Sequence, residues 1–97
     1  MLTIPTTTKD LGTIAYNNPV TVSFDLINNT NEDISVINFG AACGCSTPSL
    51  SRNPILANST AQFNIVYNAA ARGDNRKSAY IIVDNEETKF YFSANVQ

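Results

Sequence analysis

Two cysteines stand at Cys43-Gly44-Cys45, and their type and spacing are what most invites chemistry in this chain. In an extended segment residues i and i+2 point the same way with Cα atoms about 6.6 Å apart, near the upper limit of disulfide geometry. A bond between them is expected to be strained, so the pair reads as two small packed thiols beside a glycine that relieves crowding. Zinc would need four ligands from Cys, His or carboxylate, and the chain has no His and no third Cys. A catalytic thiolate wants a basic partner, and neither a His nor a nearby Lys or Arg stands beside these cysteines in sequence. No catalytic, cofactor-binding or metal-binding residue is assigned, and no cofactor is expected.

Other local features resolve into turns. Arg72-Gly73-Asp74 spells an adhesion tripeptide, but Gly and Asp belong in a loop between two strands anyway. Asn28-Asn29-Thr30 and Asn58-Ser59-Thr60 fit the glycosylation pattern and read as simple turns. The acid pairs Glu32-Asp33 and Glu86-Glu87 fall in expected hairpin loops, with no second acid placed to divide general-acid and general-base roles. Their spacing also lacks the alternation of a calcium loop.

The elements that must carry these residues are strands. Residues 20–26 (Val20-Thr21-Val22-Ser23-Phe24-Asp25-Leu26) alternate apolar and polar, the period of a half-buried strand. Residues 34–39 alternate with the phase slipped by one between Val36 and Ile37, which predicts one irregular strand with a bulge or twist. Residues 61–67 and 88–96 give two more clean patterns, the latter with Phe90, Phe92, Ala94 and Val96 on one face. Residues 78–83 are apolar on both faces, while residues 11–15 and a run near Ile55 are weaker candidates. About seven short strands at this spacing predict an all-β, immunoglobulin-like antiparallel β-sandwich. Residues 1–9 are expected to form an N-terminal arm or edge strand, and residues 10–97 a single immunoglobulin-like domain.

Composition narrows the function. The chain has 97 residues, room for one core. Charged residues make up 14% of it, against roughly 25% on average, and asparagine is the commonest residue. A net charge of −2 argues against holding a phosphate backbone, which takes clustered Lys and Arg. No stretch reaches the roughly 20 apolar residues of a spanning helix, and Met1-Leu2-Thr3-Ile4-Pro5 lacks the layout of a signal peptide. The expectations are no nucleic acid, no membrane, no small-molecule substrate and, without a leader, reduced thiols at synthesis.

One surface stands out. If Ala79, Ile81 and Val83 fill the core, Tyr80 and Ile82 face outward near Tyr91, and an exposed apolar and aromatic patch marks an interaction surface. Tyr80, Ile82 and Tyr91 are therefore the candidate interface.

Several segments together resemble a known family. Asp10-Leu11-Gly12-Thr13-Ile14, the strand ending in Asn28-Asn29-Thr30, Ala42-Cys43-Gly44-Cys45-Ser46-Thr47-Pro48, Pro54-Ile55-Leu56-Ala57-Asn58-Ser59 and Phe63-Asn64-Ile65-Val66-Tyr67 look like bacterial immunoglobulin-like domains of unknown function with a Cys-Gly-Cys signature. Those are similar to major sperm protein and abnormal-spindle/hydin domains. Where that family usually has a Pro-Gly turn, this chain has Ala57-Asn58. The resemblance implies a seven-stranded sandwich, a non-enzymatic interaction or scaffolding role, and Cys43, Gly44 and Cys45 as its structural signature.

The resulting expectation is a non-enzymatic structural protein, an auxiliary decoration subunit on a bacteriophage head. It would sit on the capsid surface of the virion, with capsid subunits or copies of itself as partners. The alternative is a bacterial adaptor, cytoplasmic or exported, that binds a protein partner by edge-strand pairing.

Overall fold

Successive side chains of a strand point to opposite faces, and the computed structural model, which describes residues 2–97, uses that alternation throughout. Seven strands follow in order: β1 (Thr8–Ile14), β2 (Val20–Asn28), β3 (Asn38–Ala41), β4 (Ser46–Leu50), β5 (Ser59–Tyr67), β6 (Gly73–Val83) and β7 (Glu86–Val96). They form one sheet in the order β1-β7-β6-β3 and another in the order β2-β5-β4. The two inner faces bury Val22, Phe24 and Leu26 of β2, Phe63, Ile65 and Tyr67 of β5, Ala79 and Ile81 of β6, and Phe90, Phe92, Ala94 and Val96 of β7. The immunoglobulin-like sandwich read from the alternation is the observed fold.

One pairing is parallel, that of β1 with β7. Its cause lies at the N-terminus. Thr3 pairs with Ile27 at the edge of β2, antiparallel, and Pro5, which has no N–H for a ladder, follows. The chain then crosses to the other sheet without reversing, so a segment antiparallel to β2 becomes parallel to β7. Leu2 and Ile4 pack against the core on the way.

Several sequence expectations need correction, among them the loop expected at Glu86-Glu87, which are the first residues of β7. The run near Ile55 is an isolated bridge to Ile34, whereas β4, from Ser46 to Leu50, gave no alternation because its inward positions are Ser46, Pro48 and Leu50. Residues 34–39 are not one strand: Ile34 bridges Ile55, and only from Asn38 does the chain join β6. Between them Asn53 holds Val36 by both backbone groups, its Oδ1 accepting from the Val36 N–H at 3.0 Å and its Nδ2 donating to the Val36 C=O at 2.9 Å. The phase slip therefore marks the passage from that isolated bridge to the four-stranded sheet, and leaves Ile37 62% exposed. Finally, β6 starts at Gly73, five residues before Ser78, so Gly73 and Asp74 belong to a strand and not to a loop.

Asn28 replaces a turn residue with an anchor. Its side chain is buried, where Nδ2 donates to the carbonyls of Glu32 (2.8 Å), Ile55 (2.9 Å) and Leu56 (3.2 Å). Oδ1 accepts from the Thr30 N–H at 3.0 Å and from the Thr30 hydroxyl at 2.6 Å. Truncating this side chain removes all of these bonds at once and empties a buried site, although each of the three carbonyls keeps a second donor. Asn28→Ala should lower unfolding stability by about 3 kcal/mol, measurable by urea denaturation; a loss under about 1 kcal/mol, the worth of a single ordinary hydrogen bond, would contradict this anchoring role.

Candidate functional site

The β6–β7 register sets Ser78 opposite Tyr91, Tyr80 opposite Lys89 and Ile82 opposite Glu87. Tyr80, Ile82 and Tyr91 therefore share the outer face of the four-stranded sheet, with Tyr80 and Tyr91 on the diagonal between adjacent strands. All three are half-buried. Tyr80 lies across Gly40 of β3, so closely that a Cβ on that glycine would come 2.8 Å from the Tyr80 hydroxyl oxygen. The ring thus covers backbone that an edge-strand glycine leaves bare.

Tyr91 carries a partner that the sequence reading missed. The Arg76 guanidinium sits over its ring, 5.0 Å from the centroid, a cation–π contact. Starting β6 at Ser78 hid this residue; with the strand beginning at Gly73, Arg76 falls in phase with Ser78 and Tyr80 and opposite Ser93. Beside the stack lies a hollow of about 370 Å³ lined by Asp10, Thr13, Asp74, Arg76, Ser93 and Asn95 among others. It opens where β1 slips register against β7 between Asp10 and Thr13, with Gly12 at φ 71°, a conformation that favours glycine. Both carboxylates of the hollow have structural duties: Asp10 accepts the Gly12 N–H at 2.9 Å and Asp74 accepts from Asn95 Nδ2 at 2.6 Å. The face thus offers two tyrosines and an arginine, residue types enriched where proteins bury one another, beside an isoleucine and a polar recess.

The four sheet edges are each blunted. In β4 the bonds Ser51 N–H to Gln62 C=O and Asn68 N–H to Cys45 C=O turn the backbone groups of odd-numbered residues toward β5, so on the free edge the backbone of Pro48 has no N–H to offer. Along β2 the outward residues are Thr21, Ser23, Asp25 and Ile27. Ile27 is paired with Thr3, and the Ser23 C=O accepts from the ammonium of Lys9, which reaches across from β1 over the Phe24 ring at 5.4 Å. β3 has four residues, and the Asn38 Oδ1 accepts the outward N–H of Phe39 at 2.9 Å. β1 carries the bulge at Gly12. Short strands, bulges, prolines and inward charges are the devices that keep edges from pairing with other chains.

At one end of the sandwich the turn from β3 to β4 carries the cysteines, and here the expectation of two free thiols fails. Cys43 and Cys45 form a disulfide, with Cα atoms 5.3 Å apart. The segment is not extended: the Ser46 N–H donates to the Cys43 C=O at 3.4 Å, and this turn draws the Cα atoms inside disulfide range. Ser46 is 6% exposed, and its hydroxyl lies 3.9 Å from Cys43 Sγ and 3.8 Å from Cys45 Sγ. Among the described residues no three acidic or cysteine side chains converge as metal ligands.

The disulfide does not tie the two sheets together. It closes a loop of only three residues, for which constraint of the unfolded chain is worth about 1.6 kcal/mol. The Cys43→Ser, Cys45→Ser double variant should therefore stay folded and lose no more than about 2 kcal/mol by chemical denaturation. Failure to fold would show that the bond holds the sandwich together.

Comparison with known proteins agrees with the fold. A protein of unknown function from Porphyromonas gingivalis superposes with a TM-score of 0.82 at 12% identity, over 97% of this chain and 46% of that one. The ASH/PapD-like domain 7 of human CEP192 gives 0.68 at 12% identity, over 99% of this chain and 84% of that one. The secreted serine protease VesC of Vibrio cholerae gives 0.66 at 14% identity, over 98% of this chain and 23% of that one. This chain therefore spans less than half of the Porphyromonas protein and about a quarter of the protease. No curated protein matches in sequence. Residues 2–96 match the family described as protein of unknown function DUF1573, and the chain belongs to that family.

Proposed function

We propose that this chain is a non-enzymatic interaction module that docks on a protein partner through the outer face of its four-stranded sheet. The carrying observation is the contrast between surfaces. Every sheet edge is blunted against strand addition, whereas one face gathers Tyr80, Ile82 and Tyr91 with Arg76 stacked on Tyr91. The outer face of the other sheet presents hydroxyls and amides, including Thr21, Thr47, Ser23, Ser49, Asn64 and Gln62, with Val66 and Ile27 as its apolar members and no aromatic or arginine among them. Blunted edges weigh against the adaptor that pairs through an edge strand.

Its chemistry and its likenesses bear on where the module works. A disulfide persists in oxidising compartments, which favours the periplasm or cell exterior over the cytoplasm. The likeness to part of a secreted protease and to part of a longer Porphyromonas protein supports a module of the kind carried by larger proteins. A decoration subunit on a phage head would use the same face, with affinity raised by repetition across a lattice; no feature of the fold favours a capsid over other protein partners.

Photo-crosslinking residues placed singly at Tyr91 and Ile82, at Val66 on the opposite face and at Thr21 on the β2 edge would test the choice of surface in the producing cell. Adducts of one defined mass should form from Tyr91 and Ile82 alone. The same adducts forming chiefly from Thr21 would restore edge pairing, and from Val66 would move the interface to the other sheet.

A further inference from the structure

We propose that Cys43–Cys45 is an exchangeable disulfide that accepts two electrons from a protein dithiol, with the Ser46 hydroxyl as hydrogen-bond donor to the sulfur that leaves. Three observations carry this. First, the bond is dispensable for shape. Its turn is pinned independently by Ala42 N–H to Ser78 C=O at 3.0 Å and Asn68 N–H to Cys45 C=O at 3.0 Å, and the closed loop is too short to add much by constraining the unfolded chain. The turn can open without loss of the fold.

Second, the bond is reachable and asymmetric. Both cysteines are half-buried, and a Cβ at the exposed Gly44 between them would meet no atom within 4 Å outside its two chain neighbours. Cys45 packs against the core, which marks Cys43 as the outer sulfur. Third, Ser46 is a buried polar group aimed at both sulfurs. A hydroxyl gains more from a thiolate than from a neutral disulfide, because hydrogen bonds to ions are the stronger ones. Its placement therefore favours the opened state over the closed one.

A thiolate of the partner attacks Cys43 Sγ along the S–S axis; the S–S bond breaks, a mixed disulfide forms and Cys45 departs as thiolate beside the Ser46 hydroxyl. The partner's second thiol, losing its proton to solvent, attacks its own sulfur in the mixed disulfide and releases Cys43. The partner gains one disulfide, and the Cys43 and Cys45 thiolates take up two protons. Two electrons have passed to this chain.

Oxidised chain treated with dithiothreitol in native buffer, trapped with a maleimide and weighed by mass spectrometry, reads the reaction directly. Both cysteines should become trapped while the circular dichroism of the sandwich is unchanged. Ser46→Ala should slow the step about tenfold, the effect of losing one hydrogen bond to a leaving anion, and Ser46→Thr should restore it. Cys45→Ser incubated with oxidised glutathione should hold a single stable adduct at Cys43. A bond that opens only when the chain is unfolded in urea would overturn the proposal. Equal reduction rates for the parent and a folded Ser46→Ala variant would overturn the part given to Ser46.

Discussion

A seam of aromatic rings between the two sheets is the contact on which the rest of this molecule depends. Phe24 and Phe63 of one sheet meet Phe90 of the other with ring centroids 4.9 and 5.1 Å apart, and Tyr67 meets Phe92 at 5.4 Å. Tilted and edge-on pairs of this kind add to the stabilisation from buried area alone. Because each of these rings lies on a strand of strict alternation, committing the inner face fixes what every outer face presents. Tyr80, Ile82 and Tyr91 look outward because Ala79, Ile81, Phe90 and Phe92 look inward. The outer surface is the complement of the core.

The same seam governs how the edges are handled. An immunoglobulin-like sandwich is open at both ends of both sheets, and paired sheets of modest charge risk adding strands from other copies. Lys9 shows one answer. It stands on β1 in phase with the core, yet its stem crosses Phe24 and its ammonium caps the Ser23 carbonyl on the neighbouring sheet's edge. One side chain thus tethers the two sheets and occupies an acceptor that an added strand would need. Pro48 accomplishes part of the same end in β4 by lacking a donor.

Sequence alone disclosed the strands that obey one simple rule and concealed those that do not. β2, β5 and β7 alternate apolar and polar residues along their length, and their limits fall close to those read from pattern. β4 stayed hidden because Ser46 and Pro48 take inward positions where the pattern expects apolar residues; the Ser46 hydroxyl lies there beside the two sulfurs. The first half of β6 stayed hidden because Asn75 and Lys77 look inward at the sandwich's end. Arg76 went unseen with it, although a strand begun at Gly73 would have set it in line with Tyr80. The disulfide was misjudged by assuming that residues 43–45 extend, when the turn that joins the sheets folds them back.

These failures of pattern coincide with the places where the surface has chemistry. The register slip at Gly12 opens the polar hollow beside Arg76, the early start of β6 supplies the guanidinium that stacks on Tyr91, and the tight turn brings two sulfurs together over a buried hydroxyl. A stretch that alternates without fault has its residues assigned by packing, one face to the core and one to water, and little freedom is left for a site. Where alternation breaks, the core gives up a residue and something other than burial must account for what stands there. In a chain this poor in charge, with no histidine to mark a reactive centre, those breaks point to function more directly than composition does.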